Sequence, residues 1–238
     1  MTERLNGRRA FGAEKQMEPF LSGESLFQNI QWFTPIERDD QLFFKTEDPE
    51  KEVRFDVDMF QAYYALDPST GERKKQTQKK TLSKSARVIG FKDLYTNKIY
   101  ITKVIMNRES PSQIIKEMFE LHKVHNFTRM GFEENLFRDL FREAIKKQEQ
   151  QEDGNMRLPW HSVWASQDKE KRIYGIEPKI TAGDLVFSRY LTPDFKTQLT
   201  DYPNCDHNDG LDALEILCKI ADPNTGLKAF AFSSINQA

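Results

Sequence analysis

From Phe60 onward, short apolar runs alternate with turns and with stretches of helical period. Residues 59–66 are apolar and aromatic, and Asp67-Pro68-Ser69-Thr70-Gly71 then reads as a turn. Residues 86–91 and 99–105 make two further strands linked through Thr96-Asn97, so the three suggest an antiparallel meander. Ser110-Pro111-Ser112-Gln113 announces a helix: Ser110 caps, Pro111 suits the first helical position, and Gln113 completes a capping box. Ile114, Met118, Leu121 and His125 share one face of that helix.

Residues 127–133 predict a fourth strand. A helix follows with Leu136, Phe137, Leu140, Phe141, Ala144 and Ile145 as its apolar stripe, and residues 146–153 form its solvated end. Residues 158–165 predict a fifth strand, residues 166–177 a helix, and 185–187 a short strand after the turn at Ala182-Gly183. Thr192-Pro193 opens another helix with Phe195, Leu199 and Tyr202 inward. The last helix runs over residues 209–221, with Leu211, Leu214, Leu217 and Cys218 inward and Asp222-Pro223 as its stop. Three strands, then helix, strand, helix, strand, predict an α/β fold. Its mixed sheet combines an antiparallel meander with parallel strands, is flanked by helices, and resembles the ribonuclease H-like architecture.

Residues 1–55 read differently, as an arm or linker. Residues 1–14 are polar and basic, residues 17–21 and 26–33 are short amphipathic stretches, and residues 37–58 are acid-rich. The expected organisation is therefore an arm over 1–55, one domain over 56–222, and a tail over 223–238.

Composition narrows the function. Lys+Arg 35 against Asp+Glu 37 leaves a net charge of −2, so nucleic-acid binding has to rest on local basic patches. The two cysteines, Cys205 and Cys218, lack a Cys-x-x-Cys spacing, which argues against structural zinc and suits a reducing compartment. No apolar run reaches the ~18–20 residues of a membrane span, and no signal peptide opens the chain. A phosphate-cradling Gly-x-x-x-x-Gly-Lys-Ser/Thr loop is missing too, so ATP is not an expected ligand. No Ser-His-Asp or Cys-His pattern points to covalent catalysis.

The candidate chemistry lies in carboxylates. Asp67 ends the first strand, Glu133 ends the fourth, and Asp209 and Asp212 open the last helix. Each has a structural reading: Asp67 as a turn residue, Glu133 and Glu134 as first-turn acids, Asp209 and Asp212 as cap and dipole partners. Jointly they can converge at one edge of an open sheet and bind two divalent cations, an arrangement suited to phosphodiester hydrolysis. His207 is an accessory candidate for a metal-shell or phosphate contact. The basic run 72–87 supplies Lys74, Lys75, Lys79, Lys80, Lys84 and Arg87, and the later helix supplies Lys169 and Arg172. They read as sequence-independent phosphate contacts or as solvated surface. No aromatic-interleaved basic run suggests base reading.

These residues resemble the nuclease domain of the large terminase subunit of tailed bacteriophages. The matching pieces are Asp67, Phe132-Glu133-Glu134-Asn135-Leu136-Phe137, Lys169-Glu170-Lys171-Arg172-Ile173 with Gly183-Asp184-Leu185-Val186-Phe187, and His207-Asn208-Asp209-Gly210-Leu211-Asp212-Ala213. The last is close to the family's His-Asp-Asp-x-x-Asp-Ala pattern, departing from it at Asn208, and the resemblance covers residues 60–220. It implies an endonuclease that cuts concatemeric viral double-stranded DNA during genome packaging, with two Mg2+ or Mn2+ ions. Asp67, Glu133 and Asp209 would be the catalytic ligands by matching position, with Asp212 as an accessory acid; the residues themselves leave Glu134 as the accessory candidate beside Glu133. It also implies portal, small terminase subunit and a separate ATPase domain as partners, in the cytoplasm of an infected bacterial host. Two other readings of the residues stand beside it: a junction resolvase or transposase-like nuclease, and a non-catalytic module that docks DNA or the motor.

Overall fold

The structure is a computed structural model that describes residues 25–39, 41–47, 52–68, 84–133, 141–151, 156–163 and 168–222. Its strands are β1 (Gln31–Arg38), β2 (Gln41–Thr46), β3 (Glu52–Arg54), β4 (Phe60–Asp67), β5 (Ser85–Asp93), β6 (Ile99–Asn107), β7 (Arg129–Glu133), β8 (Trp160–Val163) and β9 (Leu185–Ser188). The helices are α1 (Pro111–His125), α2 (Arg142–Gln151), α3 (Lys169–Tyr174), α4 (Glu177–Thr181), α5 (Pro193–Asp201) and α6 (Asp209–Ala221). All nine strands join one sheet in the order β3-β2-β1-β9-β6-β5-β4-β7-β8.

The expected meander is present: β4, β5 and β6 pair antiparallel in chain order. Strand β7 then lies parallel to β4, and β8 parallel to β7. The five-strand segment β6-β5-β4-β7-β8, with α1 between β6 and β7, is the ribonuclease H-like arrangement. Strand β4 is third from one edge, while β6 holds the centre of the full sheet. The capping box forms as the sequence predicts, Ser110 and Gln113 each satisfying the other's backbone N–H.

The arm assigned to residues 1–55 is corrected over its second half. Strands β1 to β3 extend the sheet, with β1 parallel to β9 from Gln31 to Phe33 and antiparallel to β2. Phe33 and Phe44 explain it. Both are fully buried, 4.6 Å apart between ring centroids, and each packs on Tyr100 of β6. Upstream, Leu26 N–H donates to Tyr202 O at 2.8 Å and the Phe27 ring stacks on Tyr202. Among the described residues of this stretch, Glu37 and Glu52 take exposed strand positions and Asp39 an exposed turn, so charge density hid the strand pattern. Residues 1–24 and the tail at 223–238 lie outside the described residues. The predicted helix at 166–177 is two short helices, α3 and α4, while residues 146–151 form the solvated end of α2 as expected.

Two apolar cores sandwich the sheet. Helices α1 and α2 cover one face with Ile114, Met118, Phe119 and Ile145 against Tyr64, Leu66 and Phe132. Helices α3 to α6 cover the other with Ile173, Ile180, Phe195 and Leu199. Helix α6 is buried along nearly its whole circumference, because α3 and α5 pack on the side turned away from β4, β5 and β7. Among the described residues, no helix is long and apolar enough to cross a membrane.

Candidate metal centre

Strands β4 and β7 run parallel with Leu66 opposite Phe132, so Asp67 and Glu133 follow side by side at their carboxyl ends. In open sheets this end, beside the strand where pairing changes direction, is where ligands are bound. The amino terminus of α6 is brought over it by two close approaches. Gly131 lets α6 lie against β7, since a Cβ there would sit 2.7 Å from Ile220 Cγ2 and 3.0 Å from Ile216 Cγ2. Gly210 does the same against α5, where a Cβ would sit 2.5 Å from Phe195 Cδ2.

The first turn of α6 is not capped by its own side chains. Asn208 holds the N-cap position without a side-chain hydrogen bond, and buried Gln198 of α5 instead accepts from Gly210 N–H at 3.0 Å. The carboxylates of Asp209 and Asp212 are thereby released from capping duty. One oxygen from each of Asp67, Asp209 and Asp212 lies within 4.8 Å of the others.

Burial and neighbouring like charge raise the proton affinity of Asp67 and of Asp212 in this cluster. The Asp67 carboxyl is pushed up to about 8, first by burial and then by Asp212, Asp209 and Glu133, with Lys169 opposing. Burial also pushes Asp212 up to about 6, with Lys169 and Arg172 opposing and Asp209 adding to the rise. Asp212 Oδ2 faces Lys169 Nζ, while buried Oδ1 accepts no hydrogen bond among the described residues. An all-carboxylate donor set with an orphaned oxygen fits a hard divalent cation such as Mg2+ or Mn2+.

The other predicted residues divide. Glu133 stays outside the tight trio; its Oε2 is 3.8 Å from Arg172 Nη2, and its charge still reaches Asp67. Lys84 belongs to the site, its backbone N–H 3.4 Å from Asp209 Oδ2 and its Nζ 2.8 Å from Asp194 Oδ2. His207 sits near Asp194, whose carboxyl is held below the usual range by Lys84 and, less strongly, by His207.

Arg87 is a correction. Its side chain is 0% exposed and pairs with Glu109 and with Glu117 of α1, on the sheet face opposite α6, so it offers nothing to a phosphate. Lys169 and Arg172 are engaged with site acids rather than presenting an unoccupied basic face: Lys169 meets Asp212, and Arg172 meets Glu215 and Glu133. Lys74, Lys75, Lys79, Lys80 and Glu134 lie outside the described residues.

Glu215, Gln198 and Asp194 were missed. Glu215 had a readable signal, a lone acid three residues after Asp212 in an apolar helix. Gln198 had none, since its role depends on how α5 meets α6. A groove of about 580 Å³ adjoins the centre at Lys84 and runs past Met106, Asn107, Tyr190 and Thr192.

No protein-family model and no curated protein matches the chain. Among solved structures it is similar to the human cytomegalovirus terminase nuclease domain, with a TM-score of 0.49 and 12% identity over 71% of this chain and 87% of that one. It is also similar to the large terminase nuclease of thermophilic phage G20c with bound zinc, at TM-score 0.47 and 11% identity over 81% and 96% of the two chains. The large terminase nuclease domain of bacteriophage SPP1 with bound Mn gives TM-score 0.47 and 15% identity over 81% and 97%.

Proposed function

We infer that this chain is a terminase-type nuclease, a metal-dependent endonuclease that cuts double-stranded viral DNA during genome packaging. The observation that carries the reading is the meeting of Asp67, Asp209 and Asp212 within 4.8 Å at the carboxyl edge of the sheet. Asp67 and Asp209 hold the cations, Asp212 supports them, and Glu133 adds negative charge beside Asp67. When bound, Mg2+ or Mn2+ would supply an activated water and charge neutralisation at the phosphodiester.

The chain's own residues place the substrate. Lys84 borders both the acids and the groove, so a backbone phosphate entering the groove passes the metal centre. Lys74, Lys75, Lys79 and Lys80 lie in the segment joining Asp67 to Lys84 and are the proposed non-specific phosphate contacts. The concatemeric substrate, portal, small subunit, ATPase partner and host cytoplasm belong to the same proposal, and the motif at residues 207–213 supports them.

The test is nicking of supercoiled plasmid in Mg2+ or Mn2+, with and without EDTA. Wild type nicks in either metal and stops in EDTA. Asp67→Asn loses at least about a hundredfold, no less than the loss typical when a metal ligand's support is removed. Equal cleavage by both proteins sinks the assignment.

A further inference from the structure

Two rungs of ion pairs join α3 to α6. Lys169 and Arg172 stand three residues apart on one helix, Asp212 and Glu215 three apart on the other, and each cation meets its counterpart. The rungs differ in what holds them. Arg172 is 10% exposed and fixed between two acids, Nη1 3.4 Å from Glu215 Oε2 and Nη2 3.8 Å from Glu133 Oε2. Among the described residues Lys169 pairs with Asp212 alone, from the first turn of α3, and keeps 33% of its side chain in solvent. A lysine is a mobile point charge on a flexible stem, whereas arginine's planar fork is pinned by two partners.

Asp212 requires that charge. Its side chain is 6% exposed, and a buried carboxylate without a cation carries a heavy desolvation penalty. Counted with every carboxylate ionised, Asp67, Glu133, Asp209, Asp212 and Glu215 set five negative charges against the three positive charges of Lys169, Arg172 and Lys219. The surplus is two, which one divalent ion cancels. A second ion finds Asp212 already matched by an ammonium group.

We propose that Lys169 is a displaceable counter-ion holding one of two cation positions of the acidic cluster. A first divalent ion then enters on Asp67 and Asp209, and a second enters only as Lys169 swings from Asp212 to solvent. This rests on the metal-nuclease reading above. It moves Lys169 from a phosphate contact to a positioning residue that sets how many ions the chain takes up.

Calorimetric titration of the full chain with Mn2+ alone, without DNA, tests it at a pH near 8. Wild type shows one tighter and one weaker uptake step. Lys169→Met strengthens the weaker step by about tenfold, the scale on which groups beside a metal ligand alter affinity. Lys169→Arg, whose fork grips Asp212 more firmly, weakens that step, so either variant decides the matter if the other fails to fold. Isotherms for both variants that superimpose on wild type overturn the role of Lys169 while leaving the metal centre standing. Absence of Mn2+ uptake by wild type and Lys169→Met alike overturns the metal reading itself.

Discussion

Asp67 ionises near 3.8 in an unfolded chain and at about 8 in the folded, metal-free protein. Between those values the unfolded state has released a proton that the native state keeps. Ionising the native carboxyl is unfavourable because it is buried and stands beside Asp212 and Asp209, so metal-free stability falls as pH climbs from about 4 to about 8 and levels beyond. Asp212, pushed up to about 6, adds a loss of the same sign over the lower part of that window. Thermal melts in EDTA across this range should show the decline in wild type, and Asp67→Asn should flatten most of it. Mn2+ should raise the wild-type midpoint most at the alkaline end and leave Asp67→Asn nearly unmoved. A pH profile identical in the two proteins would remove the electrostatic account of the centre.

At the scale of elements, α6 is the part that turns a sheet edge into a site. It can approach only because Gly131 and Gly210 lack a Cβ, and its first turn is satisfied from α5 by Gln198. Gly210→Ala places a methyl 2.5 Å from buried Phe195 and 2.8 Å from Gln198 Oε1, so α5 and α6 must separate. The expected cost is about 1–3 kcal/mol of stability, as for overpacked cores, read by thermal or urea unfolding. Mn2+ affinity should fall with it, because Asp209 and Asp212 flank the displaced residue. Stability lost with Mn2+ affinity intact would mean that the acids do not depend on this contact. The position of α6 was legible in the sequence, since its apolar period, the cap candidates Asn208 and Asp209 and the stop at Asp222 mark its ends. Its near-total burial was not, because the covering α3 and α5 come from distant parts of the chain.

At the scale of the whole molecule, a net charge of −2 gives no general attraction for DNA, so affinity must come from the local lysines. Changing Lys74, Lys75, Lys79 and Lys80 together to Gln should reduce the slope of log affinity against log salt by as much as about three to four, measured by fluorescence anisotropy in EDTA. An unchanged slope would place the DNA elsewhere. The sequence by itself determined the meander β4 to β6, the strands β7 to β9, the helices α1, α5 and α6, the strand-end places of Asp67 and Glu133, and the pairing of Asp209 with Asp212 on one helical face. These depend on local periodicity and on turns, which neighbouring residues specify. Only the tertiary structure decided that Arg87 turns into buried ion pairs with Glu109 and Glu117, that Lys169 serves Asp212, and that β1 to β3 complete the sheet. Each of those outcomes turns on a partner far along the chain, where desolvation of a charge or burial of an aromatic ring outweighs what local composition suggests.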